Sequence, residues 1–339
     1  MIENTLYREA LKRVIPEVTL NDGSVLVTGA TGLIGSCIVD LLMLSNLEGR
    51  HFEIYALGRN KKKLQERFKS FLDSSYLHFV EQDIMSPLDG NILYDYIIHG
   101  ASNADPRNYA LYPAETMLIN IEGARNVLNY CKDHHDTKAL LMSTFEVYGN
   151  AGKDVYKEED SGAVDLNMIR SCYPESKRSM EILTRCYVDE YGVLAVIGRL
   201  SSIYGPTMAK DDSKAHAQFI RNGLNKEDIV LKSKGVQRRT YCYVIDAVTG
   251  LLCVLAKGNC GEAYNIANEQ SVASIAEVAQ AVAEIAGTNV IMQLPDELEK
   301  KGYSKPQNCI LDNAKLKLLG WNGHYNLKDG LGECLAILK

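Results

Sequence analysis

Ser24-Val25-Leu26-Val27-Thr28-Gly29-Ala30-Thr31-Gly32-Leu33-Ile34-Gly35 is the stretch that decides the fold. Ser24 to Thr28 is a short, β-branched, apolar run of the kind that forms a buried parallel strand. Ser36 to Leu44, which follows, reads as a helix. Between them the spacing G-x-x-G-x-x-G gives each glycine a task. Gly29 permits the tight turn, Gly32 lets a pyrophosphate approach the backbone, and Gly35 lets the helix lie close to the strand. The helix then presents unpaired N–H groups and its positive dipole end to the phosphates. Thr31, Leu33 and Ile34 lie in the same turn and complete the candidate phosphate-binding set.

Outward from this turn the pattern repeats. Phe52 to Leu57 is a second strand. An acidic residue at the end of such a strand holds an adenosine ribose, but here the chain continues Gly58-Arg59-Asn60. Arg59 suits a 2′-phosphate or an adenine face, so the choice between NAD and NADP stays open. The lysines at 61 to 63 read as a solvated helix start. Leu77 to Val80 is a strand running into Gln82-Asp83-Ile84, where Asp83 is placed to meet an adenine. Tyr96 to His99 is another, followed by Gly100-Ala101-Ser102-Asn103. Ala114 to Cys131 is a long helix carrying Asn120, and Ala139 to Ser143 and Val193 to Arg199 are further core strands. Alternating strands and helices with apolar strands imply an α/β fold, a doubly wound parallel Rossmann sheet. Ligands bind off the carboxyl ends of such strands, which is where Gly29, Asp83, Ser102 and Thr144 fall.

The totals fit one large domain with a smaller lobe: 339 residues, 46% hydrophobic and 24% charged. The expected division is 1–200 for the dinucleotide domain, with a late strand at 263–267 returning to it, and 201–339 mainly for an α/β substrate lobe. The net charge of -6 argues against a general nucleic-acid or membrane-surface binder. No run is long and apolar enough to span a bilayer. Met1 to Pro16 mixes charged and apolar residues as an amphipathic helix does, not a signal peptide. Nine scattered cysteines without Cys-x-x-Cys, and seven histidines without ligand spacing, read as reduced thiols in a cytoplasmic protein with no structural metal.

Two further stretches carry chemistry. In Arg170-Ser171-Cys172-Tyr173-Pro174-Glu175-Ser176-Lys177, Tyr173 and Lys177 are four apart and share a helix face. An ammonium beside a phenol favours the phenolate and brings it towards use as a base. Ser143-Thr144-Phe145-Glu146-Val147-Tyr148-Gly149 sets a hydroxyl and a carboxylate at the end of a strand.

Taken with the glycine turn, these resemble the extended short-chain dehydrogenases/reductases that act on nucleotide sugars as epimerases and dehydratases. Ile203-Tyr204-Gly205-Pro206 and Arg239-Thr240-Tyr241-Cys242-Tyr243-Val244-Ile245-Asp246 extend the match to nearly the whole chain. Within the family, Ala101-Ser102-Asn103-Ala104-Asp105-Pro106-Arg107-Asn108-Tyr109, the Thr-x-Glu at 144 and 146, and Arg170 to Arg178 are most similar to UDP-glucuronate decarboxylases.

The resemblance implies NAD as cofactor and transient oxidation at the sugar C4. Tyr173 is then the base, Lys177 lowers its pKa and holds the nicotinamide ribose, and Thr144 orients the same oxygen. Glu146 orients or protonates the intermediate, and Arg239 pairs with the substrate diphosphate, with Ser202 and Asn103 near the sugar. Arg238 reads as a surface residue. Decarboxylation of a UDP-linked glucuronate leads, ahead of a 4-epimerase, a 4,6-dehydratase, or a redox-sensing scaffold without catalysis. Three departures bear on this. Ser202 stands where the family often has Asn, Thr207 where decarboxylases tend to carry Arg, and Phe145 where dehydratases have an acid. Homodimers are common in the family, through the helices holding 114–131 and 173–191, where Tyr112, Met117, Ile121 and Leu128 are either dimer surface or core.

Three further expectations concern the C-terminal half. The segment from Gly205 to about Val236 reads as loose and polar, with a mobile loop at 210–214. Val244 to Lys257 and Ser271 to Ala286 read as helices. Asp312 to Leu319 reads as a small terminal helix.

Overall fold

The structure is a computed structural model that describes residues 1–293 and 307–339. The part of the expected substrate lobe at 294–306 lies outside the described residues.

In chain order the first half comprises α1 Thr5–Val14, β1 Gly23–Thr28, α2 Leu33–Leu47, β2 Phe52–Gly58, α3 Lys61–Arg67, β3 Leu77–Glu81, β4 Tyr96–His99, α4 Pro106–Leu111, α5 Pro113–Asp133 and β5 Lys138–Thr144. Then come β6 Val155–Tyr156, α6 Cys172–Tyr191, β7 Leu194–Leu200, β8 Ser202–Tyr204, α7 Ala215–Leu224, β9 Ile229–Leu231 and β10 Arg238–Tyr243. The chain continues through α8 Val244–Lys257, β11 Ala263–Ile266, β12 Val272–Ser274, α9 Ile275–Ala286, β13 Val290–Met292 and β14 Ile310–Leu311. Helices Ala314–Leu318 and Leu327–Leu338 follow.

Seven strands form one parallel sheet in the order β11-β7-β5-β4-β1-β2-β3. The order reverses at β1 and β4, which opens a crevice at their carboxyl ends. The strands are apolar because helices cover both faces: Val25, Leu26, Val27, Ile97, Ile98, Leu140 and Leu141 are fully buried. On one face lie α5 and α6; on the other, α2 and α8. The expected late strand is β11, at the edge of this sheet beside β7.

Smaller sheets surround the crevice: β12-β10-β8, β13-β9 and β14-β6. Here the structure departs from the expectations in four places. The segment 205–236 contains α7 and β9, so it is not loose throughout. The helix expected from Ser271 begins at Ile275, because Val272–Ser274 pairs antiparallel with β10. Its start is fixed by a capping box between Ser274 and Glu277. Helix Leu327–Leu338 was not expected at all. The loop at 210–214 is tied down, since Ser213 donates through N (2.8 Å) and Oγ (2.7 Å) to the Asp105 carboxylate.

Helix α1 forms as expected. It is fixed by Tyr7, whose hydroxyl donates to buried Asp40 on α2 at 3.0 Å, with Arg67 completing the carboxylate's partners. No helix among the described residues is long and apolar enough to cross a membrane.

Candidate active site

The glycine turn has the geometry its spacing implies. Gly29 has φ +67°, and a Cβ there would lie 2.9 Å from the Ala101 nitrogen. A Cβ on Gly35 would collide with the Gly29 carbonyl oxygen and lie 3.1 Å from Ala30 Cα. Gly32 is the N-cap of α2 and brings no side-chain cap, so the first N–H groups of the helix, on Leu33 and Ile34, are left for a ligand. Thr31 and Gly32 are exposed at the mouth of this cradle. These residues fit a dinucleotide diphosphate.

Gly35→Ala is therefore expected to push α2 off the turn. NAD should bind at least about tenfold more weakly, a loss of roughly 1.4 kcal/mol. A calorimetric titration with an unchanged Kd would remove Gly35 from the cradle.

The other cofactor candidates line the carboxyl edge. Thr28 Oγ1 accepts from Ala101 N at 3.2 Å and contacts the His99 Nδ1 at 2.9 Å, which joins the β1 and β4 turns. His99 is buried, and burial next to Lys177 pushes its pKa down to about 3. Ser102 donates to Asn120 Oδ1 at 2.7 Å, Asn120 Nδ2 donates to Ser176 Oγ at 2.9 Å, and Ser176 donates to the Tyr173 carbonyl at 2.9 Å. Asn120 is fully buried, so it reaches the crevice through Ser102. Asp83 is half-buried past β3 and accepts from Met85 N at 3.0 Å; Ile84 beside it is buried. Arg59 is exposed just beyond β2.

Tyr173 and Lys177 lie in the first turns of α6 and are both buried. The Tyr173 phenol lies beside the Thr144 side chain at the end of β5. Burial pushes this phenol well above its ordinary pKa, and nearby Glu146 adds to the rise; the Thr144 hydroxyl and Arg170 pull it down. Lys177 lies one turn further along α6. Its ammonium donates to the Met142 carbonyl at 2.8 Å, and burial lowers its pKa to about 8. In this structure a β5 carbonyl holds the ammonium, and the Arg170 guanidinium favours the Tyr173 phenolate.

Glu146 follows Thr144 in the same turn, its N–H donating to Thr144 Oγ1 at 3.3 Å. Its carboxylate is gripped by Arg170 at 2.8 and 3.2 Å. Tyr109 of α4 stacks on Tyr173 with centroids 5.0 Å apart at 18°, and the Arg170 guanidinium lies 5.4 Å over the Tyr109 ring. Arg170 and Tyr109 were read only as parts of longer motifs. Arg170 had a usable signal, since a carboxylate entering a buried site needs a cation. Tyr109 had none, because its stacking depends on where α4 docks.

Arg239 and Ser202 line one small cavity with Phe145, Ser201, Thr240, Cys309 and Leu311. The Arg239 guanidinium lies 5.6 Å over the Phe145 ring, and its Nε and the Ser201 Oγ are buried without hydrogen-bond partners among the described residues. Arg238 is exposed, as expected. Asn103 sits apart, its amide 3.5 Å from Thr116 Oγ1. Thr207 donates to the Leu33 carbonyl at 2.7 Å and so faces the glycine turn. Of the helix surface residues, Leu128 is core, while Tyr112 and Met117 are exposed. All nine cysteines are free thiols.

Comparison with known proteins agrees with this geometry. Residues 25–267 match the model of the NAD dependent epimerase/dehydratase family. The chain is 30% identical over 316 residues to UDP-glucuronic acid decarboxylase 1 of Xenopus tropicalis, covering 93% of this chain and 72% of that one. It is 31% identical over 308 residues to UDP-glucuronic acid decarboxylase 3 of Arabidopsis thaliana, covering 91% and 86%. The fold is shared with UDP-glucuronic acid 4-epimerase from Bacillus cereus, solved with UDP-glucuronic acid and NAD. The TM-score is 0.76, with 24% identity over 93% of this chain and 98% of that one. With a family match spanning both the glycine turn and the Tyr173 helix, the chain belongs to the NAD-dependent epimerase/dehydratase family of extended short-chain dehydrogenases/reductases, and NAD is its cofactor.

Proposed function

We propose that this enzyme decarboxylates UDP-glucuronate through transient oxidation at C4. The observation that carries the reading is the buried Tyr173 phenol, set beside Thr144 and flanked by the Glu146–Arg170 pair. The decarboxylases among its relatives support it.

In this reading Tyr173 takes the proton of the C4 hydroxyl, while Thr144 fixes the direction of that oxygen. Bound NAD supplies the hydride acceptor and later the donor. A ketone at C4 is β to the C6 carboxylate of a glucuronate. The C5–C6 bond can then break to carbon dioxide, its electron pair passing into the C4 enolate. Glu146 lies next to the Tyr173–Thr144 pair and is assigned to orient the enolate or protonate it at C5. Tyr173 returns its proton to the C4 oxygen when the ketone is reduced. Arg239, with Ser202 and Ser201 beside it, is assigned to the diphosphate, since a guanidinium matches phosphate oxygens and its buried Nε has no acceptor among the described residues; Ser202 and Asn103 are assigned to the sugar. Lys177, together with Asp83, Ile84, Ala101 and Ser102, is assigned to the nicotinamide and adenine ends of the cofactor.

We assign the dinucleotide to residues 1–200 with the 263–267 strand, and the substrate mainly to 201–339. A homodimer through α5 and α6 is supported by exposed Tyr112, Met117, Leu118 and Ile182. A cytoplasmic setting is supported by the nine free thiols.

One panel tests the reaction: UDP-glucuronate, UDP-glucose and UDP-N-acetylglucosamine with the NAD-loaded protein, read by mass and NMR. Loss of carbon dioxide from UDP-glucuronate is expected. An unchanged mass with an inverted centre would make it an epimerase, and loss of water a dehydratase. No turnover despite NAD binding would leave a scaffold.

A further inference from the structure

Three elements converge on the Tyr173 ring, and two of them bring opposite charges. Glu146 comes from the turn after β5, Arg170 from the turn before α6, and Tyr109 from α4. Arg170 meets both carboxylate oxygens of Glu146, at 2.8 and 3.2 Å. Such a fork fixes the plane of a carboxylate as well as its place. The guanidinium is braced from its other side by the Tyr109 ring at 5.4 Å, and that ring is stacked on Tyr173 at 5.0 Å. Both ends of the ion pair are largely buried, with side chains 30% and 16% exposed.

We propose that Arg170 is a positioning residue: paired with Glu146 and braced on Tyr109, it holds that carboxylate in place beside the Tyr173 phenol and offsets its charge there. The inference rests on Tyr173 being the base. A lone carboxylate beside a phenol opposes phenolate formation, because two like charges then share a poorly solvated space. The offset has a second consequence. A glucuronate brings another carboxylate into the same pocket, and a site holding only Glu146 would repel it.

Other groups also face the phenol. The Thr144 hydroxyl lies beside it. On α6, Cys172 precedes it and the Lys177 ammonium is turned to Met142. From α4 come Tyr109 and, at the N-cap, Asp105, with Arg107 exposed beyond. On the far side Arg239 and Glu146 both act on the Cys309 thiol, which burial pushes up to about 12. None of these replaces Arg170 as the partner of Glu146.

The test follows kcat/KM for UDP-glucuronate against pH in the NAD-loaded enzyme. The limb that rises with pH reports formation of the phenolate. In Arg170→Gln it is expected to move to higher pH by about one unit, the scale of one nearby opposite charge. In Glu146→Gln it should move to lower pH, and in the double variant return close to the wild-type position. Arg170→Lys keeps the charge but loses the fork, so the limb should stay while kcat falls. This variant also carries the test if Arg170→Gln does not fold; a displaced limb in it would overturn the proposal. An unmoved limb in Arg170→Gln, or a double variant displaced as far as the single, would also overturn it. Tyr173→Phe separates the two levels. If it is inactive while the Arg170→Gln limb stays put, the base assignment stands and this inference fails; if it retains turnover, the base assignment itself fails.

Discussion

Tyr173→Phe is expected to lower turnover of UDP-glucuronate at least about 100-fold, the scale of losing a general base. The substitution removes one oxygen and little else. The ring that stacks on Tyr109 is kept, as is the backbone carbonyl that accepts from Ser176. The side chain is 7% exposed, so no new apolar surface meets water. What disappears is the oxygen beside Thr144, the atom assigned to receive the C4 proton. NAD affinity should change much less than turnover, since the glycine turn is untouched. The two effects are separated by measuring the Kd for NAD and kcat for the sugar on the same preparation. A kcat within a few-fold of wild type would mean that the proton leaves by another route, and the assignment of Tyr173 would be lost. Thr144→Val should show a smaller fall, because it removes the orienting hydroxyl and leaves the base.

What could be read from the sequence was what depends on local spacing. The glycine turn is a contiguous seven-residue pattern: Gly32 and Gly35 each face the Gly29 carbonyl inside the same strand–turn–helix unit, and Gly29 is required by its own positive φ. The sheet strands are apolar runs because both faces are covered, and the i,i+4 pair at 173 and 177 follows from helical geometry alone. What could not be read depends on distant packing. Helix Leu327–Leu338 contains Gly330 and Gly332, which lower helix propensity. Gly330 is required because a Cβ there would collide with the Tyr204 hydroxyl. Helix α7 was missed because buried His216 interrupts its apolar face. The Lys177 ammonium could have met the phenol or a carbonyl from the same helix position, and only the docking of α6 on β5 decides for Met142. The Tyr109–Tyr173–Arg170–Glu146 contacts join three separate segments and leave no periodic trace.

Breaking the Glu181–Arg199 pair is expected to have the largest effect on stability. Both side chains are buried, at 6% and 8% exposure. Arg199 Nε meets Glu181 Oε1 and Oε2 at 3.0 and 3.2 Å, and Nη2 meets Oε2 at 2.7 Å. Ser143 donates to the same carboxylate at 2.5 Å, and Arg199 Nη1 donates to the Glu158 carbonyl at 2.8 Å. Glu181→Leu leaves a guanidinium in the core without its counter-charge, so unfolding free energy should fall by about 3–5 kcal/mol. Arg199→Leu should fall by a similar amount, for the mirror reason. The double Leu variant should recover at least half, because neither charge is then stranded. Ser143 and the Glu158 carbonyl still lose partners in it, which keeps the recovery partial. Urea unfolding with equal slopes gives the comparison. Single losses below about 1 kcal/mol would show that the pair is not a strut between α6 and β7. The double variant also connects stability to the site. Glu181 lies one turn beyond Lys177 and supports its ammonium against burial. Without Glu181, the Lys177 pKa should drop below its value of about 8 even where the fold has recovered. NAD affinity in the double variant should then fade at a lower pH than in wild type, since the protonated lysine is assigned to the ribose. An affinity profile that overlays the wild type would cut Lys177 off from Glu181.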